Sequence, residues 1–281
     1  MKGIEVKGIS KRFDETLALD EVSLRFEPER IYGLLGRNGA GKSTLLNIIT
    51  NRIFPDGGEV TIDGMPAREN EAAQRLAYLM SEKDLYPPAM RVREAFDWSA
   101  RFYPDFDRDY AHKAAEAFGL KADKPIKGLS TGYRSIFKCV VALSVNTPYV
   151  LLDEPVLGLD ANHRELFYRM LIEKYSEAPF TCVISTHLIE EVSNVVEGIV
   201  IIKQGRVIRD EAREELLASG YTVSGPAGLV DGYLAGRTLV GADELGGLKT
   251  AYVLGRPEGV PQGLEIAPMD LQRLFIQLTN M

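Results

Sequence analysis

Cysteine occurs only twice among the 281 residues, tryptophan once and histidine three times. Both thiols, Cys139 and Cys182, fall inside apolar segments. They exclude a disulfide scaffold and read as reduced, buried side chains. No stretch approaches the ~18 consecutive apolar residues of a membrane-spanning helix. The opening Met-Lys-Gly-Ile-Glu-Val also lacks the apolar region of a signal peptide. The expectation is a cytoplasmic chain whose membrane contact runs through partners only. Positive charge is in short supply too: 33 Lys and Arg stand against 40 Asp and Glu, a net charge of −7. That balance argues against a nucleic-acid partner. There is no internal repeat and no low-complexity tract, while 45% hydrophobic and 26% charged residues suit a globular chain with room for one large domain and a small one.

Against that background one stretch stands out. Gly36, Arg37, Asn38, Gly39, Ala40, Gly41, Lys42, Ser43 and Thr44 follow an apolar run, Ile31 to Leu35, and precede a helical pattern over about Lys42 to Asn51. Glycine, four residues, then Gly-Lys-Ser between strand and helix is the phosphate-binding P-loop pattern. Glycines let backbone N–H groups turn inward around a diphosphate, and the following helix presents its positive end to the anion. Lys42 is placed to reach the β- and γ-phosphates, and the Ser43 hydroxyl to ligate Mg²⁺. The loop predicts a nucleoside triphosphate site, and no second copy occurs.

The rest of the chain takes its order from this loop. Ile4 to Ile9 and Val22 to Phe26 alternate as half-buried antiparallel strands do, with Lys11 to Asp14 as a connection carrying an exposed aromatic. Further strands are expected at Glu59 to Ile62 and Leu76 to Met80. From Ser81 to Gly128 prolines and helical periodicity, at Val92 to Phe102 and Tyr110 to Phe118, describe a helical insertion in which Ala95, Phe96 and Trp98 read as core. A helix begins around Leu129-Ser130-Thr131-Gly132. Two continuous apolar runs, Tyr149 to Leu152 and Phe180 to Ile184, then read as buried parallel strands separated by a helix over about Asn162 to Tyr175. Ile199 to Lys203 and Arg206 to Arg209 read as a hairpin. Strands alternating with helices make this an α/β fold with ligands at the carboxyl ends of a mostly parallel sheet. From about Glu214 glycine rises and short strands appear at Tyr221 to Ser224, Arg237 to Val240, Thr250 to Leu254 and Leu264 to Ile266, with a helix over Met269 to Thr279. These describe a small α+β appendage.

Asp153 and Glu154 close the buried run Tyr149 to Leu152, where carboxylates are costly unless paired or bound to a metal. Adjacent residues leaving a strand point opposite ways, so different tasks are expected. Asp153 would share a Mg²⁺ shell with Ser43, and Glu154 would polarise the water attacking the γ-phosphate. His187, past the strand Phe180 to Ile184, can donate toward that phosphate. His112 and His163 have no such context and are expected to face solvent.

The order of Phe13, the P-loop, the helical insertion, Leu129-Ser130-Thr131-Gly132-Tyr133, Asp153-Glu154-Pro155, Gly158-Leu159-Asp160 and His187 resembles an ATP-binding cassette (ABC) ATPase over residues 3 to 215. The resemblance implies a P-loop NTPase core with an antiparallel β subdomain: a nucleotide-binding domain over 1–213, with its helical subdomain at about 82–147; the small α+β domain over 214–281 lies beyond the resemblance, and its role is unknown. It implies that Phe13 stacks on adenine, that Ser130 and Gly132 clamp the γ-phosphate of ATP held by another protomer, and that Asp160 belongs to a loop crossing the dimer interface. His187 would be the switch histidine, and Tyr86-Pro87-Pro88 would lie near the transmembrane partner. ATP and Mg²⁺ are the implied cofactors. A second ATPase protomer, identical or different, and separately encoded transmembrane permease subunits are the implied partners, with the chain peripheral on the inner face of the membrane. The similarity extends to Gram-positive exporters encoded beside GntR-type regulators, so export is the expected direction. Two departures stand out. Thr131 and Tyr133 replace a glycine and a glutamine of the usual Leu-Ser-Gly-Gly-Gln signature, and Ser81 stands where a metal-contacting glutamine ends the strand Leu76 to Met80. Slower hydrolysis is expected, which keeps a low-turnover regulatory or sensor cassette as the alternative, beside a soluble non-transport ABC protein.

Overall fold

The computed structural model describes residues 2–280. Strands β1 (Ile4–Phe13) and β2 (Thr16–Phe26) form a long hairpin. Both exceed the expected strands, because Lys11 to Phe13 continue the pairing to a two-residue turn instead of forming a loop. Next come β3 (Ile31–Leu35), the P-loop and α1 (Lys42–Ile49), then β4 (Gly57–Ile62), the short β5 (Met65–Pro66), α2 (Glu71–Gln74) and β6 (Ala77–Met80). The helical region holds α3 (Val92–Phe102), α4 (Arg108–Ala117) and α5 (Thr131–Ser144). It is followed by β7 (Tyr149–Asp153), α6 (Ala161–Glu177), β8 (Thr181–Thr186), the four-residue α7 (Ile189–Val192), and the hairpin β9 (Gly198–Lys203) and β10 (Arg206–Ala212).

Two sheets face each other across part of the core. The first has the order β2-β1-β4-β5 and is antiparallel; the second has the order β10-β9-β3-β8-β7-β6, with β9, β3, β8, β7 and β6 parallel. Ile4, Val6, Val22 and Phe26 of the first sheet share one apolar cluster with Leu45, Leu46 and Ile49 of α1 and with Leu34, Leu151 and Val183 of the second. The other face of the parallel sheet carries α3 to α6, through Phe96, Phe118, Phe137, Val140 and Phe167. Burial on both faces explains why the central strands read as continuous apolar runs. Ala95 and Phe96 are core, as expected from their spacing, but Trp98 is 40% exposed and packs beside Phe102 on the surface.

After α8 (Arg213–Ala218), the chain builds a third sheet of order β12-β13-β11-β14. Its strands are β11 (Gly220–Pro226), β12 (Thr238–Leu245), β13 (Leu248–Leu254) and β14 (Glu265–Pro268), with α9 (Ala227–Leu234) inserted after β11. Neither α8 nor α9 is legible as a helix in the sequence. Both are short, and Gly228 and Gly232 dilute the pattern of α9. Tyr221, Val223, Val230, Tyr233, Ala251 and Val253 form a small core of their own. The last helix, α10 (Leu271–Asn280), behaves otherwise: Leu271, Leu274, Phe275 and Leu278 join the main core, together with Ile189 and Val192 of α7. None of the helices among the described residues is long and apolar enough to cross a membrane.

Candidate functional site

The site is assembled by strand register. Leu35, the last residue of β3, lies opposite Thr186, the last of β8, and Asp153, the last of β7, lies opposite Ser185. The segments leaving these three strands therefore start side by side: Gly36 to Thr44, then His187, then Glu154. Open α/β sheets bind ligands at such carboxyl ends.

The P-loop has the backbone its glycines permit. Gly39 and Gly41 take φ values of +80° and +108°. At Gly41 a side chain would also meet the carbonyl oxygen of Ala18 at 2.5 Å, so β2 presses against the loop from below. Arg37, Asn38 and Gly39 are exposed, and nothing stands within 4 Å of a side chain built at Gly39. The first turn of α1 has no side-chain cap, so its N–H groups remain donors for an anion.

Lys42 is 6% exposed, and its ammonium donates to the carbonyl of Gly36 at 2.6 Å. It lies 3.8 Å from Oε1 of Glu154. Burial pulls its pKa below the ordinary lysine value, opposed by the charges of Glu154 and Asp153. The expected opposed directions of Asp153 and Glu154 arise differently from a continuing strand. Pairing ends at Asp153, and Glu154 takes a left-handed φ of +49°, a conformation that costs a non-glycine residue ~1 kcal/mol or more. The turn carries the Glu154 carboxylate toward β8, where Oε1 lies 2.8 Å from Nδ1 of His187 and Oε2 accepts from the Thr186 hydroxyl at 3.1 Å. Ser185 donates to Oδ1 of Asp153 at 2.9 Å. Strand β8 reaches Thr186, so His187 follows it immediately. An imidazole bonded to Glu154 through Nδ1–H offers Nε2 as an acceptor; only the imidazolium would donate from both nitrogens.

Ser43 on α1 and Asp153 supply oxygen ligands of the kind Mg²⁺ takes alongside phosphate. Ser81, at the end of β6, bonds to a side chain outside this group. Its hydroxyl lies 3.1 Å from a guanidinium nitrogen of Arg52, which also donates to the carbonyl of Leu79 at 2.9 Å. The Ser81 hydroxyl, expected beside the metal, thus has a cationic neighbour. Arg52 carried no sequence signal, since it lies beyond both the P-loop and the helical pattern that follows it.

The remaining residues lie elsewhere. Phe13 sits at the hairpin tip, 43% exposed, with the Lys11 ammonium 5.4 Å from its ring centre. Ser130 caps α5, its hydroxyl accepting from the Tyr133 N–H. A side chain at Gly132 would meet the Gly158 carbonyl at 3.1 Å, so the start of α5 packs closely on the loop leading to Asp160. Asp160 caps α6; hydrogen bonds from the backbone N–H and ring of His163 hold its carboxyl below the usual aspartate range. His163 is therefore not the solvent-facing residue expected. It is half-buried, bonded to Asp160 and stacked on Phe118, whereas His112 is exposed. Among the described residues no hydrogen bond or ion pair joins Ser130, Gly132 or Asp160 to Gly36–Thr44. The Tyr86 ring packs edge-on to Phe137, and its hydroxyl bonds to Ser99.

Residues 19–157 match a family model described as ABC transporter. The ABC transporter ATP-binding protein YtrB of Bacillus subtilis is 29% identical over 219 residues, 76% of this chain and 75% of that protein. The Nod factor export ATP-binding protein I of Burkholderia pseudomallei is 32% identical over 222 residues, 76% of this chain and 72% of that protein. The sulfate/thiosulfate import ATP-binding protein CysA of Rhodopseudomonas palustris is 34% identical over 216 residues, 73% of this chain and 61% of that protein. Among solved structures, a dimeric bacterial ABC transporter cassette superposes with a TM-score of 0.67 at 25% identity, covering 75% of this chain and 98% of its own.

Proposed function

The chain belongs to the ABC transporter ATP-binding family and is an ATPase of it, and from that premise we propose the roles of its residues and partners. The observation that carries the reading is the convergence of Lys42, Glu154 and His187 at the ends of β3, β7 and β8. Gly36 to Thr44 cradle the phosphates of ATP, and Lys42 leaves the Gly36 carbonyl to neutralise them. Ser43 and Asp153 hold Mg²⁺, which supplies charge neutralisation at the phosphates. Glu154 orients and deprotonates the attacking water, while His187 and Thr186 fix its carboxylate. Phe13 stacks on the base. Ser130, Gly132 and Asp160 act on the nucleotide of a second protomer, consistent with their separation from the P-loop of their own chain. Residues 1–213 form the cassette, 82–147 its helical subdomain, and 214–281 a small α+β domain whose last helix docks on the main core.

The cassette drives transport through separate transmembrane subunits, and its membrane contact runs through them. We take export as the direction, on the sequence traits shared with exporters and the Nod factor export relative, although an import-named relative matches at comparable identity. The hold of Arg52 on Ser81 favours slow turnover and gives the low-turnover sensor its one structural support. Steady-state ATPase assays decide between them. Glu154→Gln is expected to lower kcat by about 100-fold or more with ATP binding retained, the loss of ~3 kcal/mol of transition-state stabilisation. A wild-type rate no higher than that of the variant would refute the hydrolytic reading.

A further inference from the structure

Helix α10 reaches the segment that carries His187. Phe275 and Ile276, with Gln272, form one wall of a groove of about 420 Å³ whose other wall is His187, Leu188, Ile189 and Glu190. Phe275 is 7% exposed and belongs to the same apolar cluster as Ile189 and Val192. The segment it meets is short of intrinsic support. Helix α7 has four residues and no side-chain cap, too few to hold a helical conformation without tertiary packing. Arg164, which lines the same groove, also steadies it, donating to Glu191 at 2.9 Å and to the carbonyl of Leu159, the neighbour of Asp160, also at 2.9 Å. The other anchor of α10 is the third sheet: Arg273 bonds to the Tyr252 hydroxyl of β13 at 3.1 Å.

We propose that Phe275 is a positioning residue for hydrolysis: α10 braces α7 and thereby holds His187 against Glu154, which gives the C-terminal unit a direct role in turnover. This rests on the roles proposed for Glu154 and His187. The brace acts on geometry at the end of β8 and not on the P-loop, so it governs kcat more than nucleotide affinity. Displacement of the C-terminal unit by a partner would slacken His187 and slow turnover, which makes α10 a route by which ATP use can be regulated.

The test uses the full chain with Phe275→Ala, the milder groove variant Ile276→Ala, the conservative Phe275→Leu, and Val223→Ala in the separate core of the third sheet as a control. Amide hydrogen exchange of residues 187–192 reads the brace without reference to activity, and so separates its failure from that of the hydrolytic reading. Phe275→Ala is expected to speed exchange there by about tenfold and to lower kcat by about tenfold, with KM for ATP changed less than about twofold. Ile276→Ala should do the same more weakly, Phe275→Leu should restore most of both, and Val223→Ala should leave residues 187–192 protected. Unchanged exchange at 187–192 in both groove variants would overturn the proposal, as would an equal loss of kcat in the Val223→Ala control.

Discussion

Lys42 carries a charge in a place that disfavours it. Burial lowers its pKa below 10.5, and the two carboxylates nearby restore only part of the loss. Between the lowered value and 10.5 the folded chain binds fewer protons than the unfolded one, so stability of the nucleotide-free protein rises with pH through that window. Phosphate oxygens placed on the ammonium reverse the balance and raise the pKa again. ATP binding in that alkaline window is therefore expected to take up a proton. Calorimetry in two buffers of different ionisation enthalpy should give different binding heats, and equal heats would contradict the placement of phosphate on Lys42. Lys42 was legible from residue type and spacing alone. The geometry of Glu154 was not, because alternation along a strand says nothing of a left-handed turn at its end. Nor was the partner of His163, since a histidine three residues beyond an aspartate becomes a cap contact only once a helix start is fixed there.

The P-loop is an element whose shape is enforced from outside. Gly41 combines its φ of +108° with the Ala18 carbonyl where a side chain would go, so Gly41→Ala is strained in both backbone and packing. A loss of about 2–3 kcal/mol is expected in urea unfolding, with weakened ATP binding. An unchanged midpoint would show that the hairpin and loop can separate freely. Elements buried on both faces, β3, β7 and β8, were readable as apolar runs, β3 with its bounds unchanged and β7 and β8 within a residue or two. The hairpin β1–β2 was read too short because its far end is exposed and lacks alternation. The C-terminal strands were readable from β-branched and aromatic residues between glycines. Their pairing order and the docking of α10 depend on contacts distant in sequence, which no local pattern encodes.

At the scale of the whole molecule, the residues divide into two groups on one chain. Lys42, Glu154 and His187 converge, while Ser130, Gly132 and Asp160 gather where α5 meets the loop before α6. The order of motifs announced both groups, but their separation is a property of the fold. The proposed completion of the site by a second protomer can be tested by exchange of subunits. Lys42→Ala removes the first half of the site and Ser130→Glu the second, so each variant alone has no intact site. Mixed dimers of the two have one, built from the Lys42 of one chain and the Ser130 of the other. The measurement is ATPase activity of the variants separately and mixed. The account predicts near-zero activity for each alone and recovery of about a quarter of the wild-type rate in an equal mixture, half of whose dimers would be mixed and carry one of two sites. Wild-type turnover by Ser130→Glu alone, or no recovery on mixing, would contradict it.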